Sequence, residues 1–256
     1  MKRNILMIAM LAFSALAMVS CKKDENTNAG NEGGVVPGVV QDDALFGVFT
    51  INENDAKINF SRGNLYYDGS DFNFEENQYD FAKSWNENHI SHFMWSADKN
   101  MAISTLGTIT GSENDIFFTN KADFAVNGQT GWRTLSNDEW NFLINLRRVN
   151  GESGYGHTCI MATVNDVDGL IIFPDGYDGS VEGLSSIPEG CAFLPNAGDR
   201  MRTLVRNAGY FGKYWLSTPN ASSLAYGIYF KNGILYCGNS YPDNQGLSVR
   251  LVRDVE

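Results

Sequence analysis

The sequence predicts a domain built from many short strands and few helices. Short apolar or alternating runs are separated by Gly, Asn and Asp along residues 45–256, as is typical of strands joined by turns. Glycine is abundant at 26 residues, whereas proline is scarce at 6, so turns are plentiful. The best helix signal lies at residues 136–148, where a start signal precedes helical periodicity. These observations favour a domain with many strands and few helices, of which the helix after Ser136 is the best marked.

The strands are expected in two groups along the chain. The first strands are residues 46–51 and 57–67, and residues 75–81 can begin a short helix in the aromatic stretch that follows. The C-terminal half is expected to be mostly strand: 158–164, 170–173, 191–195, 214–218, 224–230, 234–237 and 247–252. The Asp-Val-Asp-Gly sequence at 166–169 is interpreted as the turn between two of these strands.

The helix is predicted over residues 137–148. Ser136 and Glu139 form a capping box, in which each side chain accepts a hydrogen bond from the other residue's backbone amide. Trp140, Leu143 and Ile144 follow at the spacing of one helix face, which indicates that this face is buried. Gly151 is expected to end the helical region.

A hairpin is predicted around Asn232-Gly233, the strongest short hairpin signal, because both positions of a type I′ turn need positive φ. A two-residue loop opposes Lys231 to Ile234 and Tyr229 to Tyr236, and it opposes Phe230 to Leu235, Ile228 to Cys237 and Gly227 to Gly238. One face, with Ile228, Phe230, Leu235 and Cys237, is expected to join the core. The other face carries Tyr229, Tyr236, Lys231 and Ile234 and is expected to be more solvated.

Several ordered motifs resemble those of a known family. Residues 131–143 are close to its Gly-Trp-Arg helix motif, and residues 246–252 resemble its terminal strand; residues 60–67, 165–175, 192–198 and 214–219 are similar to further motifs. Together they resemble a C-type-lectin-like module of the branch shared with formylglycine-generating enzymes and the Fibrobacter major paralogous domain, as carried by Bacteroidetes lipoproteins. The resemblance implies an α+β fold: one or two helices packed on twisted antiparallel sheets, with the N- and C-terminal strands adjacent.

Residues 1–20 resemble a lipoprotein export signal. Lys2 and Arg3 give a positive start, residues 5–17 are apolar, and Cys21 follows small or apolar residues. We therefore expect cleavage before Cys21 and acylation of Cys21, with ordinary secretion as the alternative. Residues 21–44 have the composition of a flexible tether, and residues 45–256 are expected to form a single domain. Lys-Lys-Asp-Glu at 22–25 resembles a surface-export signal, although a solvated charge run explains it as well. The expected location is the outer membrane, lipid-anchored, at the cell surface.

Charge and cysteine content restrict the classes of function. The net charge is -11, and loss of Lys2 and Arg3 with the signal would make it -13, that is, -11 minus 2. Nucleic-acid binding needs clustered Lys and Arg, which this sequence lacks, so no nucleic-acid partner is expected. Cys159, Cys191 and Cys237 are an odd number without CxxC spacing, which allows at most one bridge and favours buried thiols.

Catalytic and metal-binding chemistry receives little support from the sequence. Formylglycine-generating chemistry needs a reactive thiol pair, and neither Cys191 nor Cys237 matches the family's catalytic cysteines. His89 and His92 can share a helix face, but two ligands alone do not close a zinc site. Asp166 and Asp168 resemble a fragment of a calcium loop; a turn is favoured, with calcium as the alternative. No catalytic residue, metal site or cofactor is therefore expected, apart from that alternative of calcium.

The candidate binding surface is the Tyr-, Asn-, Ser- and Gly-rich segment 220–245, whose composition is that of many paratopes. Its candidate ligand-binding residues are Tyr226, Tyr229, Tyr236, Asn239, Tyr241 and Asn244. Related modules in diversity-generating retroelements vary this same segment. We expect a non-enzymatic ligand-binding protein or adhesin whose ligand is a protein or glycan. The alternative is a structural cell-envelope or pilus-tip subunit, and a formylglycine-generating-type enzyme comes third.

Overall fold

The computed structural model describes residues 42–96, 98–105 and 125–255. All of them belong to the compact unit Val36–Glu256; the other unit, Met1–Val35, lies outside the described residues. The expected export signal, the acylated Cys21 and the tether up to residue 41 therefore also lie outside them. Among the described residues, no helix is long and apolar enough to cross a membrane.

The described elements are short and mostly strands. The strands are β1 (Phe49–Thr50), β2 (Lys57–Phe60), β3 (Leu65–Tyr67), β4 (Phe72–Phe74), β5 (Trp132–Arg133), β6 (Arg148–Val149), β7 (Glu152–Ser153), β8 (Cys159–Val164), β9 (Val167–Ile172), β10 (Ala192–Pro195), β11 (Asp199–Met201), β12 (Leu204–Arg206), β13 (Gly212–Ala221), β14 (Leu224–Lys231), β15 (Ile234–Pro242) and β16 (Val252–Asp254). The helices are α1 (Lys99–Ala102), α2 (Asn137–Asn141) and a π-helical turn, π1 (Phe142–Leu146).

The strands form several small antiparallel sheets. One sheet has the order β1-β2-β16-β5, so the last strand lies between strands from the beginning and the middle of the domain. Three-stranded sheets have the orders β10-β9-β8 and β13-β14-β15, and the pairs β3-β4, β6-β7 and β11-β12 are hairpins. The expected adjacency of the N- and C-terminal strands is found, because β16 pairs with β2.

The expected α+β, C-type-lectin-like class with one or two packed helices is wrong. The described residues are mostly β, and their helices are only four and five residues long. The start of α2 is as predicted, since Ser136 and Glu139 form the capping box. The backbone then widens into π1 and turns extended at Arg147 (φ -57°, ψ 150°), so a helix to residue 148 does not form. Arg147 is buried there, and its guanidinium donates to the Phe173 carbonyl (2.6 Å) and to Asp175 (2.8 Å).

Two expected strand boundaries also need correction. The β8–β9 turn is Asn165-Asp166, both with positive φ, so Val167 and Asp168 are in β9 and not in the turn. The stretch 247–252 is not one strand: it makes isolated bridges at Leu247 and Ser248, and β16 begins only at Val252. Its alternate side chains, those of Leu247, Val249 and Leu251, are instead buried in a hydrophobic core, which fixes the position of the segment.

The described residues form three hydrophobic cores. The first joins α2 and π1 to the sheets, through residues such as Trp140, Leu143 and Phe230. The second contains Trp95, Trp132 and Trp215, and the third lies around Phe173 and Phe193. The sheet β13-β14-β15 contributes to two of them: Ile228 and Phe230 face the first core, whereas Ala225 and Tyr241 face the second.

Candidate functional site

The predicted hairpin forms, and its register is as predicted at the turn end. Lys231 opposes Ile234, Phe230 opposes Leu235 and Tyr229 opposes Tyr236. Asn232 and Gly233 have φ of 47° and 81°, which a type I′ turn requires. Phe230 and Ile228 are buried in the first core, with Leu235 and Cys237 packed against it, so the predicted core face is confirmed.

The register beyond Tyr236 differs from the prediction. A bulge interrupts the pairing, so Gly227 opposes Asn239 and not Gly238. Gly238 has a φ of 79°, and a Cβ there would lie 2.7 Å from the Asn137 side-chain oxygen. A bulge inserts one extra residue, which moves every later residue of β15 by one position relative to β14. As a result, Asn239 and Tyr241 follow on the side of the sheet that carries Tyr236.

Four aromatic rings and two lysines form a continuous surface on this side of the sheet, here called the aromatic face: Tyr210, Phe211, Lys213, Tyr229, Lys231 and Tyr236. The rings of Tyr229 and Tyr236 are stacked with centroids 6.3 Å apart, and Phe211 lies 5.6 Å from Tyr229. Tyr210 continues the row at 6.3 Å from Phe211. Tyr210 is 57% exposed and Tyr236 is 54% exposed, so both ends of the row are open to solvent.

The two lysines of the aromatic face have different partners. Lys213 opposes Tyr229 on the neighbouring strand, and its ammonium lies 2.8 Å from Asp199 and 4.6 Å from the Phe211 ring centroid. Lys231 places its ammonium 3.2 Å from the centroid of Tyr210. In the described part of the chain no carboxylate pairs with Lys231. Lys213 is therefore fixed in the structure, whereas Lys231 presents a positive charge beside exposed rings.

The structure separates the six predicted ligand-binding residues. Tyr229 and Tyr236 lie together on the aromatic face. Tyr226 packs against the first core, on the opposite side of β14. Tyr241 is buried against Trp215 with ring centroids 6.2 Å apart, and burial raises its pKa to about 12. Asn239 donates to the Tyr241 hydroxyl (3.4 Å), and Asn244 is half-buried in the turn after β15.

The sequence reasoning missed Tyr210, Phe211 and Lys213 as members of this surface. They precede or begin β13, and only the pairing of β13 with β14 brings them beside Tyr229. β13 and β14 form a hairpin around Ser222-Ser223, and two register shifts lie between Ala221 and Trp215. The register beside Lys213 therefore cannot be counted back from the turn. Lys231 was placed on the correct face by the hairpin rule, but its contact with Tyr210 depends on the same bulged pairing of β13 with β14.

The thiols are held in their neutral form. Cys159 and Cys191 are buried, Cys237 is half-buried, and all three are free. Burial raises the pKa of each thiol to about 12. Nucleophilic thiol chemistry requires the thiolate, so these positions are poorly suited to it.

The histidines and the Asp166 turn do not form a common site. His92 is buried with a ring nitrogen 2.9 Å from the Ala197 carbonyl oxygen, and burial lowers its pKa to about 4. His89 pairs with Glu75 at 2.7 Å and stacks on Tyr66. Asp168 accepts a hydrogen bond from Thr163 across the β8–β9 hairpin (2.5 Å). The described residues include no group of three or more His, Cys, Asp or Glu side chains arranged for a metal ion.

Two adjoining open clefts lie beside π1 and share Phe142 and Leu146. Their volumes are about 440 Å³ and about 410 Å³. In the larger cleft Lys57 pairs with Asp55 (2.9 Å) and Arg147 with Asp175 (2.8 Å). These two pairs use four of the five charged side chains that line this cleft, so the aromatic face is the stronger candidate for ligand binding.

No family model matches the chain, and neither a curated protein nor a solved structure does. The candidate site therefore depends on the geometry of this chain alone.

Proposed function

We propose that this protein is a non-enzymatic ligand-binding protein of the cell envelope and that it binds its ligand on the aromatic face. The observation that carries the proposal is the row of rings from Tyr210 to Tyr236, which is exposed at both ends on a sheet supported by two cores.

The chemistry of this surface suits binding. Tyrosine offers a large, rigid apolar area with a polar tip, and it loses little conformational entropy when a ligand covers it. The sheet fixes the backbone under the rings, which reduces the cost of ordering them. Lys231 adds a positive charge at the margin of the face, where it can contact a polar or anionic group of the ligand.

The proposed location is the outer membrane, with a lipid on Cys21 and the domain at the cell surface. Support for this part comes from the sequence pattern of residues 1–21 and from the tether-like composition that follows. Mass spectrometry of the membrane-extracted protein tests it: a diacyl or triacyl group on Cys21 is expected, and an intact residue 1 would contradict it.

The binding function is tested with a glycan array and a peptide array, each probed with the purified chain in the presence and in the absence of calcium. We expect selective capture that Tyr236→Ala and Tyr229→Ala each weaken by about tenfold, the loss common for central aromatic contacts. Leu204→Ala is the matched control, because Leu204 is a large exposed apolar residue on the β11–β12 hairpin. If both tyrosine variants are folded, as judged by circular dichroism, and capture the ligand as well as the natural chain does, the aromatic face is not the binding site.

A further inference from the structure

The free edge of the aromatic-face sheet is β15. In the order β13-β14-β15, the outer side of β13 is covered, since Trp215 donates to the Ser248 carbonyl and Ser217 donates to the Leu135 carbonyl. Within the described residues, backbone groups from residue 234 to residue 241 make backbone hydrogen bonds only with β14. This side of the sheet therefore has backbone groups that another strand can pair with.

The hairpin geometry identifies the first of these groups. The two-residue turn makes Lys231 and Ile234 a hydrogen-bonded pair, so the next pair, Phe230 and Leu235, is not hydrogen-bonded. The backbone N–H and C=O of Leu235 consequently point away from β14. Tyr236 again bonds to β14, and its side chain projects onto the aromatic face.

The β15 edge has little of the protection that natural edge strands usually carry. Protein edges are commonly guarded by charged side chains, proline or a bulge. From residue 234 to residue 242 there is no charged side chain, the bulge comes only at Gly238, and Pro242 is the last residue. The stretch 234–237 before the bulge is thus uncharged. Ile234 (47% exposed) and Tyr236 (54%) are accessible, whereas Leu235 and Cys237 pack against the first core.

We infer that the β15 edge binds an extended polypeptide segment of another protein, which adds to the sheet as a fourth strand beside residues 234–237. This inference rests on the proposed function and specifies its ligand. Only a polypeptide backbone supplies alternating donors and acceptors at the spacing of a strand edge. Every second side chain of the bound segment would lie on the same face of the sheet as Ile234 and Tyr236. Contact with these two residues favours β-branched or aromatic residues at those positions.

A second copy of this chain is a less suitable occupant. The full sequence carries a net charge of -11, so two copies repel each other, whereas an uncharged segment of a different protein does not add to that repulsion. Because the bulge at Gly238 ends the open stretch, the bound segment should be short, and its affinity should depend on only a few backbone hydrogen bonds.

The test begins with a displayed library of random 12-residue peptides selected on the purified chain. The best peptide is then synthesised in singly N-methylated forms at successive positions, and each affinity is measured by fluorescence anisotropy. In an added strand, alternate amides face β15. N-methylation should therefore weaken binding by about tenfold at every second position of the paired stretch and much less at the positions between, since one hydrogen bond with its desolvation is worth about that factor.

A variant of the protein tests the same backbone hydrogen bonds from the side of β15. Leu235→Pro removes a backbone N–H that is not hydrogen-bonded to β14. The variant should therefore bind the peptide about tenfold more weakly. If this variant is unstable because Leu235 packs against the first core, the N-methyl series still decides, because it leaves the protein unchanged.

The outcomes separate the inference from the proposed function. Peptide binding that Tyr236→Ala weakens, but that shows no alternation on N-methylation, overturns strand addition and leaves binding on the aromatic face standing. Failure to select any peptide overturns strand addition, and glycan capture on the array would then still support the proposed function. A dimer of the chain in sedimentation that Leu235→Pro dissociates would assign the edge to self-pairing and overturn the inference.

Discussion

Tyr229 and Tyr236 oppose each other on β14 and β15, with stacked rings whose centroids are 6.3 Å apart. Such cross-strand aromatic pairs stabilise a sheet by about 0.2–1 kcal/mol beyond the separate residues. A double-mutant cycle with Tyr229→Ala, Tyr236→Ala and the double variant should give a coupling free energy in that range, measured by urea unfolding. Tyr229→Ala should be the costlier single change, because Tyr229 also packs against the second core whereas Tyr236 is mostly exposed. Strict additivity would show that the rings do not interact in solution.

This pair also shows how far the sequence determines the site. The Asn-Gly turn sets the register of the nearest residues, so the opposition of Tyr229 and Tyr236 follows from the sequence. The bulge at Gly238 does not, because a glycine in a strand is compatible with either regular or bulged pairing. The burial of Tyr241 depends in turn on Trp215, Lys213 and the bulge, and hence on the tertiary structure.

Gly238 provides a test of the bulge. Gly238→Ala should lower the free energy of unfolding by about 1–2 kcal/mol, because alanine is strained at a φ of 79° and the Asn137 side-chain oxygen, 2.7 Å from the added Cβ, must turn away. Gly209→Ala is the control: its φ is 82°, but no atom lies within 4 Å of the added Cβ. The control should cost about 1 kcal/mol, for backbone strain alone. Equal losses in urea unfolding would show that the contact with Asn137 is relieved without cost.

Ser136 caps α2 and should contribute measurably to stability. Its hydroxyl accepts from the Glu139 amide (3.2 Å), and the Glu139 carboxylate accepts from the Ser136 amide (2.7 Å). Ser136→Ala should cost about 1 kcal/mol, whereas Ser136→Thr retains the hydroxyl and should cost only a few tenths. Thermal unfolding of the two variants checks this prediction, and equal losses would contradict the cap.

The same helix shows why the predicted helix was too long. The capping box is a local interaction and was predictable from two residues three positions apart. The conversion to π1 and the end at Arg147 are not local, because the Arg147 guanidinium bonds to the Phe173 carbonyl and to Asp175. Burial of this cation is favourable only with those partners, and they come from a distant part of the chain. Helical periodicity alone therefore overestimated the helix.

The three thiols should be nearly unreactive in the folded protein. Burial raises the pKa of Cys159, Cys191 and Cys237 to about 12, so little thiolate exists at pH 8. Their reaction with a disulfide reagent should be slower than that of free glutathione by on the order of a hundredfold or more. Unfolding in guanidinium should restore rapid reaction at all three. Fast labelling of folded protein that Cys237→Ser abolishes would show that the half-buried Cys237 is exposed by local opening.

His89 should make part of the stability depend on pH. Its ring nitrogen lies 2.7 Å from Glu75, and the hydrogen bond to Glu75, supported by the charges of Glu75 and Asp80, raises the pKa of His89 above its ordinary value of 6.5. A raised pKa in the folded state means that this stabilisation is fully present below pH 6.5 and is lost as the pH rises through the folded pKa. The pKa of His92 is shifted the other way, to about 4, so His92 changes the stability only at pH values below 6.5. Its contribution can therefore be separated from that of His89, which is lost above pH 6.5.

The expected size of the His89 effect is modest, because the pair is partly exposed to solvent: about 0.5 kcal/mol. Urea unfolding of the natural chain and of Glu75→Gln should therefore differ most near pH 6, and the difference should shrink by pH 9. His89→Gln serves as the matched control, since it removes the titrating group and should give a difference from the natural chain with the same pH dependence. A difference that stays constant or grows with pH would mean that His89 is not protonated against Glu75 in the folded protein.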